Sequence, residues 1–268
     1  MEFETKVQFL TQPEHNRRTI VISDIHGHRA WLEKLLKKVD FSEKDILIIV
    51  GDMIEKGPES LNTIRYIMEL CEKYTVYPMM GNVDLWRIQM LLTEDGSLDQ
   101  ELYETNERMR QYWKATFFQD LCREAGVSVK TPEEIPAARE AVIAKFQKEL
   151  TFMKELPTIL VTPAFTFVHG GLVHEKLEDN FHLPPFQLLK NDNFINQGKH
   201  FDKYVVVGHW PVCLYRSDIE SSAPYISEEQ KIIAIDGGCG IKRDDQLNAL
   251  IIPDLYSEET IWESVDDF

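Results

Sequence analysis

Short apolar runs alternate with helically spaced apolar positions along the first third of the chain. Residues 19–23, TIVIS, form a β-rich run. Leu32, Leu35, Leu36 and Val39 then recur at helical spacing across 29–39. A second buried-type strand, DILIIV at 45–50, precedes Leu61, Ile64 and Met68, which share one helical face, with Pro58 at a first helical position. TVYPM at 75–79 supplies a third, less regular strand. The order β-α-β-α-β predicts a largely parallel sheet covered on both faces.

From about Leu85 to Leu156 long and charged side chains dominate and no strand run stands out. The spacing predicts amphipathic helices over 98–123 and 137–156, joined by a turn containing Gly126, Pro132 and Pro136. This segment, about 85–156, is expected to be a helical insertion in a single domain spanning 1–268. It is either a substrate-selecting cap or a structural layer. Beyond it the pattern returns to strands at 158–162, 165–169, 204–209, 231–236 and 247–253, the first two as a hairpin. The tail, SVDDF, is expected to be solvated.

Composition narrows the function classes. A hydrophobic fraction of 43% supports a packed core, and the net charge of −16 disfavours a nucleic-acid surface. The same charge repels anionic substrates, so affinity for phosphate needs a local cationic centre. No apolar run approaches a membrane span. The four cysteines are widely spaced and form no CxxC, which predicts free thiols in a reducing cytoplasm. The expectation is a cytoplasmic protein that binds neither nucleic acid nor membrane.

The candidate chemistry lies at strand ends: SDIHG at 23–27, GDMIEKG at 51–57, GN at 81–82, HGG at 169–171, GH at 208–209 and IDGG at 235–238. In open α/β sheets this edge is where ligands bind. Asp24, His26, Asp52, Asn82, His169 and His209 offer carboxylate, amide and imidazole donors without thiolate. That mixture suits a pair of divalent metals better than one structural zinc. Each residue also has an ordinary structural reading, as a turn residue, a cap or a satisfied core histidine. Asp236 is either a ligand or a carboxylate orienting one.

The ordered motifs DxHG, GDxxxxG, GN, HGG and GH resemble the calcineurin-like metallophosphoesterases over about Thr19 to Pro253. The likeness is nearest the phosphoprotein phosphatase branch, which includes bacterial diadenosine tetraphosphate hydrolases. The resemblance implies an α/β fold: a two-sheet β-sandwich flanked by helices, with a dinuclear site at one edge. Asp24, His26 and bridging Asp52 would hold one metal; Asp52, Asn82, His169 and His209 the other. Manganese leads, with iron and zinc also compatible, and a hydroxide between the metals would attack phosphorus. Phosphate esters or phosphoanhydrides are the implied substrates, in a phosphorylated small molecule, a nucleotide or a phosphoprotein.

Two departures stand out. The branch usually reads GDxxDRG, where this chain has Glu55 and Lys56, and GNH, where this chain has Val83 and then Asp84. The acid dyad that protonates the leaving group is therefore altered, and the phosphate-clamping Arg becomes Lys56. His28 and Asp84 are candidate substitutes for the acid, each with a helix-start or capping alternative. The rival class is a non-catalytic, metal-binding regulatory protein that retains the fold.

Overall fold

The period-2 alternation of the strands decides which layer each side chain enters. The computed structural model describes residues 3–92, 116–216, 221–240 and 246–266. In β2 (Thr19–Ile22) and β3 (Ile46–Ile49), Ile20, Ile22, Leu47 and Ile49 pack against helices. Their neighbours Val21, Ile46 and Ile48 face the other sheet, meeting Phe165, Phe167 and Val206. A third apolar layer, including Val205, Val207 and Phe194, covers the far face of that second sheet. Burying one such Leu, Ile or Phe side chain contributes about 1.5–3 kcal/mol.

One sheet runs β11-β10-β2-β3-β4, with β4 at Thr75–Pro78, β10 at Gln246–Ile252 and β11 at Ile261–Asp266. Its β2-β3-β4 core is parallel, while β10 and β11 are antiparallel. The other sheet runs β1-β5-β6-β7-β9-β8. Its members are β1 (Val7–Phe9), β5 (Ile159–Val161), β6 (Phe165–Val168), β7 (Tyr204–Val207), β8 (Tyr225–Ser227) and β9 (Ile232–Ala234). The architecture is the expected α/β two-sheet sandwich flanked by helices.

Several boundaries differ from expectation. Helix α2 spans Ser60–Lys73 and leaves Pro58 outside, because Glu59 is its N-cap. Helix α1, Arg29–Lys38, falls where expected. A helix at Asn82–Leu92, α3, begins on the candidate ligand Asn82 itself. The expected helix over 98–123 lies partly outside the described residues; its described part belongs to α4, Thr116–Ala125. The helix expected over 137–156 is two, α5 (Ile135–Lys145) and α6 (Gln147–Lys154). They break at Phe146, whose backbone caps both helices while its ring is buried. Pro136 sits in the first turn of α5, where its missing N–H costs nothing. The tail is a strand up to Asp266, with Val265 buried against the helical layer, so it is not simply solvated. Strands β1 and β8 were not legible as apolar runs; their residues are intermediate or exposed.

Candidate metal centre

The carboxyl ends of β2 and β3 deliver Asp24, His26 and Asp52 to one spot. Their ligand atoms lie within 4.8 Å of one another. All three are left-handed, at φ of +53°, +48° and +50°, as is His209 at +65°. Non-glycine residues pay for that conformation, and it persists where the surroundings over-determine it. Here the loops bond each other: Asp24 N–H donates to Gly51 O and His26 N–H to Asp52 O.

Asp52 lies between two imidazoles. Its Oδ1 is 3.3 Å from His169 Nε2 and its Oδ2 is 3.7 Å from His26 Nε2. Both rings are oriented by main chain: His169 Nδ1 contacts Val50 O at 2.8 Å and His26 Nδ1 contacts Ile54 O at 3.1 Å. A carbonyl can only accept, so Nδ1 of each ring carries a proton and each Nε2 points inward, as a lone pair on His26 and, on His169, as a proton facing the Asp52 and Asn82 oxygens. His169 Nε2 is also 3.1 Å from Asn82 Oδ1. His169, with Asn82 Oδ1 at its Nε2, thus meets Asp52 Oδ1, and His26, grouped with Asp24, meets Asp52 Oδ2.

His209 joins differently. Its backbone N–H donates to Asp24 Oδ2 at 3.0 Å, and its ring centroid lies 5.3 Å from that of His169. Its Nε2 contacts Asp192 Oδ1 at 2.6 Å, with Lys190 Nζ 3.4 Å away. Neither Asp192 nor Lys190 was singled out by sequence. They sit in an irregular loop with no motif around them.

The electrostatics call for cations. Asp24, Asp52, Asp84 and Asp236 are all at most 3% exposed. Buried charges need partners or metals, yet Asp24 Oδ1 and Asp236 Oδ2 have no hydrogen-bond partner. Burial, then the neighbouring Asp236, pushes Asp24 well above the usual carboxylate range. Burial would raise Asp52 too, but the His169 and His26 imidazoles hold it below that range. Burial would lower His169, yet Asp52 and Asp24 push it up to about 10. His26 falls to about 3 through burial and then the Lys56 ammonium, whose Nζ is 2.5 Å from His26 Nε2. That ammonium sits as a cation at the inward lone pair. Orphaned carboxylate oxygens, inward-facing Nε2 atoms and an all N/O donor set together fit divalent metal ions.

The candidate acids fare otherwise. Asp84 is fully buried at the third position of α3 and accepts from Met53 N (3.1 Å) and Gly81 N (3.0 Å). It ties the GD and GN loops together, with Gly81 rather than Asp84 as the N-cap. Its carboxyl is pushed up to about 7 by burial and then Asp52. His28 is the N-cap residue of α1; its ring contacts Ile25 O at 3.2 Å and lies 5.3 Å from Trp31. Glu55 turns away from the centre to Arg87 and Thr116.

The family model of the calcineurin-like phosphoesterases matches residues 17–232, most of the chain and nearly all of these motifs. The chain belongs to the calcineurin-like phosphoesterase family. Local similarity to symmetrical bis(5'-nucleosyl)-tetraphosphatases is 45% identity over 65 residues in Buchnera aphidicola, covering 24% of this chain and 23% of the relative. For Coxiella burnetii it is 34% over 92 residues, covering 34% and 30%. The matches thus span less than a third of these relatives' length. Among solved structures, one carrying a provisional diadenosine tetraphosphatase name aligns over 97% of this chain and 98% of its own, with TM-score 0.60 and 20% identity. A protein serine/threonine phosphatase from Saccharomyces cerevisiae aligns over 99% and 85%, with TM-score 0.55 and 12% identity. At such identities these structural matches speak for the fold. Among the described residues, no helix of this family member is long and apolar enough to cross a membrane.

Proposed function

We propose that this calcineurin-like phosphoesterase hydrolyses phosphoanhydrides and activated phosphate esters at a dinuclear metal centre. The observation that carries the reading is Asp52, one carboxylate between two imidazoles whose Nδ1 atoms are both committed to backbone carbonyls. Asp24, His26 and Asp52 would hold one metal, and Asp52, Asn82, His169 and His209 the other. Divalent metals there would supply positive charge for the phosphoryl oxygens and activate water near neutral pH. Manganese suits the donor set best, with iron and zinc also compatible.

The chain's own residues do the rest. His26 and His169 stay oriented through Ile54 and Val50, and Asp192 holds His209. Lys56 presents an ammonium for a phosphoryl oxygen, as a point charge rather than a fork. Val83 has no proton to give, and Glu55 spends its carboxylate elsewhere. Losing a general acid costs about 10²–10⁴-fold, least where the leaving group is already stable as an anion. That favours phosphoanhydrides, including dinucleoside polyphosphates, over phosphoserine. The similarity to symmetrical tetraphosphatases supports the same choice. We read the chain as one domain with a helical insertion, acting in the cytoplasm on a phosphorylated small molecule.

The test is turnover of diadenosine tetraphosphate, p-nitrophenyl phosphate and a phosphoserine peptide by the Mn²⁺-supplied protein. The first two should be hydrolysed and the third poorly. Absence of turnover on all three, in protein confirmed to hold metal, would replace this reading with the non-catalytic regulatory one.

A further inference from the structure

Glu55 and Lys56 are consecutive non-glycine residues in the left-handed region, at φ of +69° and +63°. Such a pair persists only where its surroundings over-determine it. The surroundings here converge on Glu55. Its N–H donates to Ser60 Oγ at 2.9 Å. Its buried carboxylate accepts from Arg87 Nε (2.8 Å) on α3. It also accepts from Thr116 N (2.9 Å), Thr116 Oγ1 (3.0 Å) and Phe117 N (3.3 Å) on α4. A carboxylate has about four acceptor sites, so Glu55 is fully used. It satisfies N–H groups at the positive end of α4, which the side chain of an N-cap residue ordinarily does. The next residue carries the ammonium that reaches His26.

We propose that Glu55 is a positioning residue: by anchoring its loop to the N-terminus of α4 and to α3, it seats Lys56 against the metal centre. The acidic position beside the cation thereby couples the helical layer to the group that meets substrate phosphate. This rests on the phosphoesterase reading for the substrate, but the placement of Lys56 is testable without turnover.

The experiment uses the full chain with Glu55→Ala, Glu55→Gln, Lys56→Ala and their doubles. Arg65→Ala is the control. Arg65 grips the other end of α4 through Glu124 (2.7 and 2.8 Å) and also bonds Glu149 (2.9 Å); among the described residues these are its hydrogen-bond partners, and neither is in the Lys56 loop. One readout is the acetylation rate of Lys56 under limiting reagent, followed by mass spectrometry. Glu55→Ala should speed it and Arg65→Ala should not. The second is kcat/KM for p-nitrophenyl phosphate with Mn²⁺. Misplacing a binding group by about 1 Å can cost up to about 100-fold, so Glu55→Ala should approach Lys56→Ala. The Glu55/Lys56 double should be no worse than Lys56→Ala, whereas Arg65 and Lys56 effects should multiply. If Glu55→Ala does not fold, Glu55→Gln carries both readouts, with smaller changes in the same direction. Unchanged Lys56 labelling in a folded Glu55 variant, or multiplicative Glu55 and Lys56 effects, overturns the proposal. A wild type without turnover counts against the phosphoesterase reading instead, and the labelling still decides the role of Glu55.

Discussion

The backbone N–H of Val83 donates to Oδ1 of Asp52 at 2.9 Å. The position without an acidic side chain therefore still grips the central carboxylate through its main chain. Val83→His keeps that donor and should fold. It should not raise turnover of a phosphoserine peptide, because the Glu55 carboxylate is committed to Arg87 and Thr116. Adding Glu55→Asp shortens the side chain by one methylene and loosens the cap on α4. Losing such a cap costs about 0.5–2 kcal/mol. The double variant should be less stable by that order, with the gap between p-nitrophenyl phosphate and phosphoserine peptide unchanged. Melts and kcat/KM on both substrates check it; a clear narrowing of the gap would mean a working dyad had been rebuilt.

Metal should stabilise the fold, since four buried carboxylates converge and two of their oxygens lack partners. Thermal midpoints should be higher with Mn²⁺ than with EDTA. Asp236→Asn should raise the chelated midpoint. It removes a charge beside Asp24, so the chelated protein should gain stability, by roughly 1–3 kcal/mol as expected for an unpaired buried charge relieved. The Mn²⁺-induced shift should not grow. A chelated Asp236→Asn protein that melts below the chelated wild type would show that Asp236 is well satisfied without metal.

Much of the candidate centre was legible because its candidate ligands sit beside glycines at the ends of apolar strands. Gly81 shows why: a Cβ there would lie 2.2 Å from Asp52 Oδ1, so the GN motif must begin with glycine. The β2-β3-β4 core was legible for a similar local reason, its strands being continuous apolar runs. What escaped depends on tertiary partners. Glu55 reads as a displaced dyad acid until Thr116, 61 residues away, is seen to take its carboxylate. Asp192 has no local pattern, and only the fold brings it to His209. Strand β11 was hidden because Glu263 and Asp266 dilute its apolar signal; its pairing with β10 and the burial of Val265 hold it.

The Arg18–Asp45 pair should give a pH-dependent part of the stability far from the centre. Arg18 lies just before β2 and Asp45 just before β3. Nε and Nη2 of Arg18 donate to the two Asp45 oxygens, each at 2.8 Å, and Ser42 N–H adds a third bond at 2.8 Å. Burial would raise the Asp45 carboxyl, but these donors hold it below its ordinary value. A depressed folded value means the contribution is present above the unfolded pKa and fades as pH falls through the folded one. Asp45→Asn should therefore destabilise at pH 7 by about 1.5–3 kcal/mol, the range for hydrogen bonds to a charged group. The penalty should shrink in acid. Urea midpoints of both proteins at neutral and acid pH measure it; a constant difference would mean that packing, not charge, makes the contribution.

Gly208 and Gly198 separate the centre from the scaffold. A Cβ on Gly208 would lie 2.3 Å from Asp24 Oδ2 and 2.8 Å from Ser23 Oγ. That Asp24 oxygen also accepts from His209 N–H, so Gly208→Ala must push the carboxylate or the His209 loop aside. Overpacking of this kind costs about 1–3 kcal/mol, and the displaced atoms are candidate ligands. The variant should fold, lose most of the Mn²⁺-induced rise in melting temperature, and lose turnover with it. Gly198 has φ of +71°, but a Cβ there meets nothing within 4 Å. Gly198→Ala should cost only the left-handed backbone penalty, roughly 1–2 kcal/mol, and keep both the metal response and the activity. The check is the difference between EDTA and Mn²⁺ melts for the two variants. An unchanged metal response in Gly208→Ala would mean that Asp24 Oδ2 is not needed to hold the ion.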